Sequence, residues 1–181
     1  MDLGVALPTS GAYASAEAIV RVAQGAERLG YGAVWTYERL LYPTGGATAG
    51  GRPQPLPDFY ASTFEPIETL SHVAACTDRV RLGTSVVDAV FHSPVVLARR
   101  FATLDRFSGG RAIAGLGLGW MDQEFEAVGV SQRARGEALE EAVGLDHVLF
   151  ADTASTTADE LLRRLSELRE AVPSAEWGPA A

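Results

Sequence analysis

The sequence predicts an α/β fold built on parallel strands, and three observations carry that prediction. Short apolar runs alternate with amphipathic helical stretches along the 181 residues. The strand-like runs are apolar on both faces, as strands covered by helices on either side must be. Each run leads into a helix before the next begins, so successive strands point the same way. An open doubly wound sheet and a closed β/α barrel both satisfy this pattern.

The elements follow in order. "LGVALP" is an apolar run closed by Pro8 and reads as a buried strand over about 2–7. In "SAEAIVRVAQGAERL", Ile19, Val22, Ala23, Ala26 and Leu29 recur at helical spacing, opposite Glu17, Arg21, Gln24 and Arg28. Gly30 and Gly32 mark the end of that helix. "AVWTYE" is a second strand, and Glu38-Arg39 end it. Residues 42–58 hold four glycines and four prolines and read as a long irregular loop, the kind of segment that carries function. "FEPIETLSHVAACTD" is a second helix with Pro66 in its first turn. "RVRLGTSVVD" is a third strand, over about 80–87. Ser93-Pro94 reads as a capping serine before a proline that opens the third helix, which stops at Ser108-Gly109-Gly110. "RAIAGLGLG" is a fourth strand, over about 111–117. "QEFEAVG" and "RGEALEEAV" are short helices. "LDHVLFAD" is a fifth strand over about 146–151. "TADELLRRLSELREAV" is a last helix, with a Thr157–Glu160 capping box and Leu161, Leu165 and Leu168 on one face.

Composition narrows the function. A net charge of −8 argues against a nucleic-acid backbone or an anionic membrane as partner. No apolar run reaches the roughly 20 residues that span a bilayer, and "MDLGVALPTS" has no basic region ahead of an apolar stretch. With a single cysteine, Cys76, read as a small buried residue, a cytoplasmic protein is expected. His72 and His147 lack partners at metal-ligand spacing, so no metal site is expected. No nucleophile elbow or phosphate-binding P-loop is present.

The residues left as candidates lie at strand ends. Gly115, Gly117 and Gly119 alternate along the fourth strand, leaving a bare face that a flat group or another backbone can approach. Glu38 and Arg39 fall at the rim where barrel enzymes keep their active sites. Thr84, Ser85 and Asp88 place polar groups inside an apolar strand, where they need partners. His92 lies in a loop, either solvated or a proton shuttle. Trp35 and Trp120 are core residues or walls for a ring.

Four segments carry a family resemblance: "WTYERLLYP", "EPIETLSHVAACTDRVRLGTSV", "HSPVVLARRFATLDRFSGGRAIAGLGLGW" and "EFEAVGVSQRARGEALEEA". Together with the first strand and helix, the chain resembles the luciferase-like monooxygenase superfamily over residues 1 to about 143. The likeness is greatest to the branch using the deazaflavin coenzyme F-420. The resemblance implies a TIM-type (β/α) barrel with a cofactor ring over the carboxyl ends of its strands. It also implies a non-proline cis peptide in the third strand, near Thr84, Ser85 and Val86.

The resemblance further implies a hydride exchanged between coenzyme F-420, or alternatively FMN, and a small organic substrate. Glu38 is then the acid/base candidate. Thr84, Ser85, Val86, Gly115, Gly117, Gly119 and Trp120 would hold the cofactor, and Trp35, Arg39 and His92 the substrate. Some relatives place histidine where this chain has Arg39, and glutamate where it has Trp120. Arginine cannot act as a general acid near neutral pH, so the chain departs from those relatives at both positions. A homodimer is expected, as is common in the family.

Length is the main departure. A complete barrel of this type takes roughly 250 residues. "GLDHVLFADTASTTADELLRRLSELREAV" resembles the family's last strand and helix. The expected fold is therefore an incomplete barrel of about five strand–helix units, with strands five to seven missing. Residues 1–143 form its N-terminal part, 144–172 its last strand and helix, and 173–181 a loose tail. Ile113, Leu116 and Leu118 would then touch water. A shortened, non-catalytic relative that binds a flavin or a protein partner is the alternative reading, and an FMN-dependent monooxygenase of the same fold is a further one.

Overall fold

The computed structural model describes residues 3–140. The unit expected over 144–172, its join to the preceding helix and the tail over 173–181 lie outside the described residues.

The core is a four-stranded parallel sheet in chain order, comprising β1 (Gly4–Ala6), β2 (Ala33–Thr36), β5 (Arg81–Thr84) and β7 (Ala112–Ile113). Val5 aligns with Val34, Trp35 with Gly83, and Gly83 with Ile113. Three helices cover one face: α1 (Ala16–Arg28), α2 (Pro66–Ala74) and α3 (Pro94–Ser108). Among the described residues the sheet is open, and closure into a barrel is not seen.

Periodicity explains the helices. Ile19, Ala23 and Ala26 on α1, Ile67, Leu70 and Val73 on α2, and Leu97, Phe101 and Leu104 on α3 are buried against Val34 and Leu82. The Ser15 hydroxyl caps α1 by accepting from the Ala18 N–H at 3.1 Å. Gly109 ends α3 at φ +67°, a left-handed conformation that glycine adopts without a Cβ penalty. Arg111 ties these layers together. It donates to the carbonyl of Ala74, the last residue of α2, to the Thr77 carbonyl just beyond it, to the Val80 carbonyl ahead of β5, and to the Ser108 carbonyl.

Several expectations are corrected. Residues 42–58 are not wholly irregular, because β3 (Ala47–Ala49) and β4 (Arg52–Gln54) form an antiparallel hairpin. Gly50 and Gly51 have φ of +56° and +72°, the positive pair that a tight two-residue turn demands. Ser93 occupies the cap position of α3, but its side chain makes no capping bond. Cys76 falls after the end of α2 and is only half-buried. The third and fourth strands are each interrupted. β5 resumes as β6 (Val87–Asp88) after a cis Ser85–Val86 peptide, and β7 resumes as β8 (Leu116–Gly117), which pairs in parallel with β6. Ile113, Leu116 and Leu118 are half-buried, and Leu116 packs against the core.

Candidate functional site

The end of β2 sorts its side chains by alternation. Strand-like pairing continues past Thr36, since Ser85 N–H donates to the Thr36 carbonyl at 2.6 Å and Glu38 N–H to the Val86 carbonyl at 2.9 Å. Val34, Thr36 and Glu38 are buried on the helix side, whereas Trp35, Tyr37 and Arg39 are half-buried on the opposite, concave side. Glu38 and Arg39 are adjacent in sequence yet serve two different environments.

On the helix side, Glu38 is 5 % exposed. Its Oε2 accepts the Asp88 N–H at 2.7 Å, and its Oε1 meets His92 Nε2 at 2.6 Å. The His92 side chain retains 19 % of its accessible surface and is the more open member of the pair. Asp88 in turn accepts the Gly119 N–H at 2.9 Å. Burial pushes the Asp88 carboxyl up; the Gly119 bond opposes that, and the Glu38 charge adds to it. Glu65, at the start of α2, is also raised, first by burial and then by Glu38 and Glu68.

On the concave side, the Trp35 indole lies between two glycines. A Cβ at Gly4 would overlap its Nε1 edge, and one at Gly83 would overlap its six-membered ring. Tyr37 donates to the Ser10 hydroxyl at 2.7 Å and meets the Tyr60 ring edge-on, with centroids 5.7 Å apart. The Arg39 guanidinium carbon lies 5.4 Å from the Tyr60 centroid and 5.3 Å from that of Trp120. Arg39 Nη1 donates to Glu124 Oε2 at 2.8 Å. Glu124, on α4 (Asp122–Val128), also accepts the Leu40 N–H at 2.9 Å. Burial raises its carboxyl, while Arg39 opposes the shift.

The glycine strand is bare because its own neighbours fill the space. A Cβ on Gly115 would strike the Thr84 carbonyl, and one on Gly117 would strike the Val86 side chain and, at 2.6 Å, Asp88 Oδ1. A Cβ on Gly119 would come within 2.5 Å of the Phe91 ring. The Thr84 hydroxyl is spent on Gly115, donating to its carbonyl at 2.8 Å and accepting its N–H at 2.9 Å. The close approach thus lets the interrupted third strand seat against the fourth. Ser85 and Val86 remain exposed at the break, while Thr84 and Val87 on either side are buried.

The structure therefore divides the candidates of the sequence. Trp35, Arg39 and Trp120 share the concave side, and Glu38 and His92 form a pair on the other. Thr84 and the glycines frame the exposed Ser85–Val86 segment between them. Sequence reasoning missed Tyr60 and Glu124. Tyr60 sits in a loop with no periodic signal, and Glu124 reads as the polar face of a short helix. Its partnership with Arg39 spans 85 positions. Among the described residues, no group of three or more His, Cys, Asp or Glu side chains is placed to hold a metal. No helix among them is long and apolar enough to cross a membrane.

Parallel strands that each feed a helix, with aromatic and charged side chains gathered at their carboxyl ends, define an α/β architecture. The model of the family described as luciferase-like monooxygenase matches residues 1–174, and the chain belongs to that family. Over 95 residues it is 43 % identical to an F420-dependent glucose-6-phosphate dehydrogenase of Kineococcus radiotolerans, covering 50 % of this chain and 28 % of that protein. The solved monooxygenase RslO1 of Streptomyces bottropensis superposes with a TM-score of 0.67 at 30 % identity, covering 84 % of this chain and 44 % of that one. The oxygenating constituent of 3,6-diketocamphane monooxygenase of Pseudomonas putida, solved with FMN, superposes with a TM-score of 0.62 at 16 % identity, covering 80 % and 38 %. The latter likeness concerns the fold alone. The chain spans less than half the length of each of these proteins.

Proposed function

We propose that the chain forms part of a deazaflavin-dependent oxidoreductase in which a coenzyme F-420 ring rests on the concave face and a small organic substrate lies against it. The observation that supports this reading most is the exposed Ser85–Val86 segment, an opening between buried Thr84 and Val87 on the strand whose Gly83 lies against the Trp35 ring. Such a flat, partly apolar surface beside exposed backbone fits a tricyclic ring. The cofactor, when bound, supplies hydride chemistry, and the protein supplies position and electrostatics.

The residues divide the work. Ser85 and Val86 back the ring, with Thr84, Gly115, Gly117 and Gly119 holding that segment in place and Trp120 flanking it. Trp35 and Arg39 face the substrate side. The Glu38–His92 pair lies on the opposite side of β2 from the ring, so a proton it handles passes around the carboxyl end of that strand through His92, the more open member, with Glu38 as the buried carboxylate that fixes the imidazole. FMN is the second reading, favoured by the FMN-containing structure that shares the fold. The reading includes a homodimer, in keeping with Val95, Val96 and Phe107, which α3 leaves exposed. Light scattering at twice the chain mass would support the dimer, and a single-chain mass would exclude it.

Titration of the purified protein with each cofactor, followed by visible absorbance and tryptophan fluorescence, tests the proposal. Saturable binding of F-420 with weaker binding of FMN is expected. The reverse order would replace F-420 by FMN, and binding of neither would overturn the oxidoreductase reading.

A further inference from the structure

We propose that Glu124 is a positioning residue that locks the Arg39 guanidinium over the Tyr60 and Trp120 rings, so that the concave wall selects an uncharged planar substrate over a carboxylate or phosphate. The substrate clause rests on the reading above, that this face is the substrate side.

An arginine at a strand end would ordinarily mark an anion site, because its fork of donors matches carboxylate and phosphate oxygens. Here its charge is already matched, through Nη1, by a buried carboxylate. The Arg39 side chain is 9 % exposed and that of Glu124 is 1 % exposed. The 2.8 Å ion pair matches the Arg39 charge inside the protein. Glu124 is itself held, because its second oxygen accepts the Leu40 N–H. Arg39 Nε is buried with no hydrogen-bond partner among the described residues. Two aromatic faces and one carboxylate therefore fix the guanidinium, in place of a full set of acceptors.

An incoming anion would have to displace a buried carboxylate and strand its charge, which is costly. A neutral planar group meets Trp35, Tyr60 and Trp120, each half-buried, and gains contact without disturbing the pair. The wall is cationic in composition and neutral in effect.

Paired probes that differ only in charge test this: 2-naphthamide and 2-naphthoate, titrated against the full chain by quenching of tryptophan fluorescence. The wild type is expected to bind the amide about fivefold or more tighter than the carboxylate. Glu124→Gln unmatches the Arg39 charge and should reverse that ratio, and Arg39→Met/Glu124→Gln should restore it. Circular dichroism checks that each variant is folded. Should Glu124→Gln fail to fold, Arg39→Met/Glu124→Gln, which removes both charges, decides. An unchanged probe ratio supports the lock, and selective loss of carboxylate binding overturns it. A wild type that prefers the carboxylate, binds neither probe, or keeps its ratio in folded Glu124→Gln also overturns it. A protein that binds neither cofactor yet shows the charge reversal would refute the oxidoreductase reading and leave the lock standing.

Discussion

The Glu38 carboxylate and the His92 imidazole, 54 positions apart, meet at 2.6 Å where the end of β2 faces the start of α3. Glu38 also receives the Asp88 N–H, so one carboxylate fixes both an imidazole and the backbone that leads into it. If this pair handles the proton, Glu38→Gln and His92→Gln should each lower turnover by about 10²-fold, the lower end of what a positioned acid or base contributes. Cofactor titration midpoints should stay where they are. Variants that turn over at the wild-type rate would remove the pair from the mechanism.

The glycines of the fourth strand separate by what they touch. Gly115→Ala places its Cβ on the Thr84 carbonyl, which is backbone and cannot rotate away, whereas Gly117→Ala meets side chains of Val86 and Asp88. Gly115→Ala should cost about 2–3 kcal/mol and Gly117→Ala nearer 1 kcal/mol, as overpacking does when neighbours can or cannot yield. Urea unfolding of the two variants gives the order directly, and equal midpoints would contradict it.

What the sequence made legible was whatever repeats locally. Helix faces such as Ile67, Leu70 and Val73, the left-handed stop at Gly109, and the parallel order of the first four strands all follow from period and punctuation. The hairpin at 47–54 was missed because its prolines masked a readable signal, the Gly50-Gly51 pair between two short extended runs. The Glu38–His92 and Arg39–Glu124 partnerships have no local trace. They exist only once four strand ends converge, and a lone histidine or a glutamate on a short helix looks the same with or without a partner.

Asp88 gives a pH dependence of known sign. Burial raises its carboxyl above the ordinary range, with the Gly119 N–H opposing and Glu38 reinforcing the shift. A carboxyl that holds its proton more tightly when folded favours folding at low pH. That contribution is lost as pH rises from the unfolded value through the raised one. Asp88→Asn keeps an oxygen for the Gly119 N–H and never ionises. Its Tm relative to the wild type should therefore climb between about pH 4 and neutrality. A difference that stays flat or falls with pH would exclude a buried ionisation at this position.

Asp122 acts in the opposite sense at the hairpin. It accepts the Gly50 and Gly51 N–H groups and the Thr48 hydroxyl, each at 2.8 Å. The Gly51 bond leads in holding its carboxyl below the ordinary range. The anchoring is present above the unfolded pKa and is lost as pH falls through the depressed one. Asp122→Ala should lower the amide-exchange protection of Gly50 and Gly51 at neutral pH, and acidification through the depressed pKa should lower it in the wild type, each taken relative to the intrinsic exchange rate at that pH. Protection unaffected by both would show that the turn holds itself.

Arg111 offers the test of how the helical layer is fastened to the sheet. The carbonyls at the end of a helix have no partners within it, and burying them unpaired costs on the order of 1–3 kcal/mol each. Arg111 supplies donors to Ala74 and Thr77 at 3.1 and 2.8 Å, to Val80 at 2.9 Å and to Ser108 at 2.6 Å. It thereby joins the end of α2, the entry to β5 and the end of α3. Arg111→Met keeps the aliphatic packing and removes every donor, and should cost about 3 kcal/mol. Arg111→Lys keeps a charge and loses the planar fork, which is what lets one side chain reach several carbonyls at once. It should recover less than half of the loss. Urea unfolding followed by far-ultraviolet dichroism reads both values. A lysine variant as stable as the wild type would show that charge alone holds the helix ends, and a methionine variant as stable would show that these carbonyls find water instead.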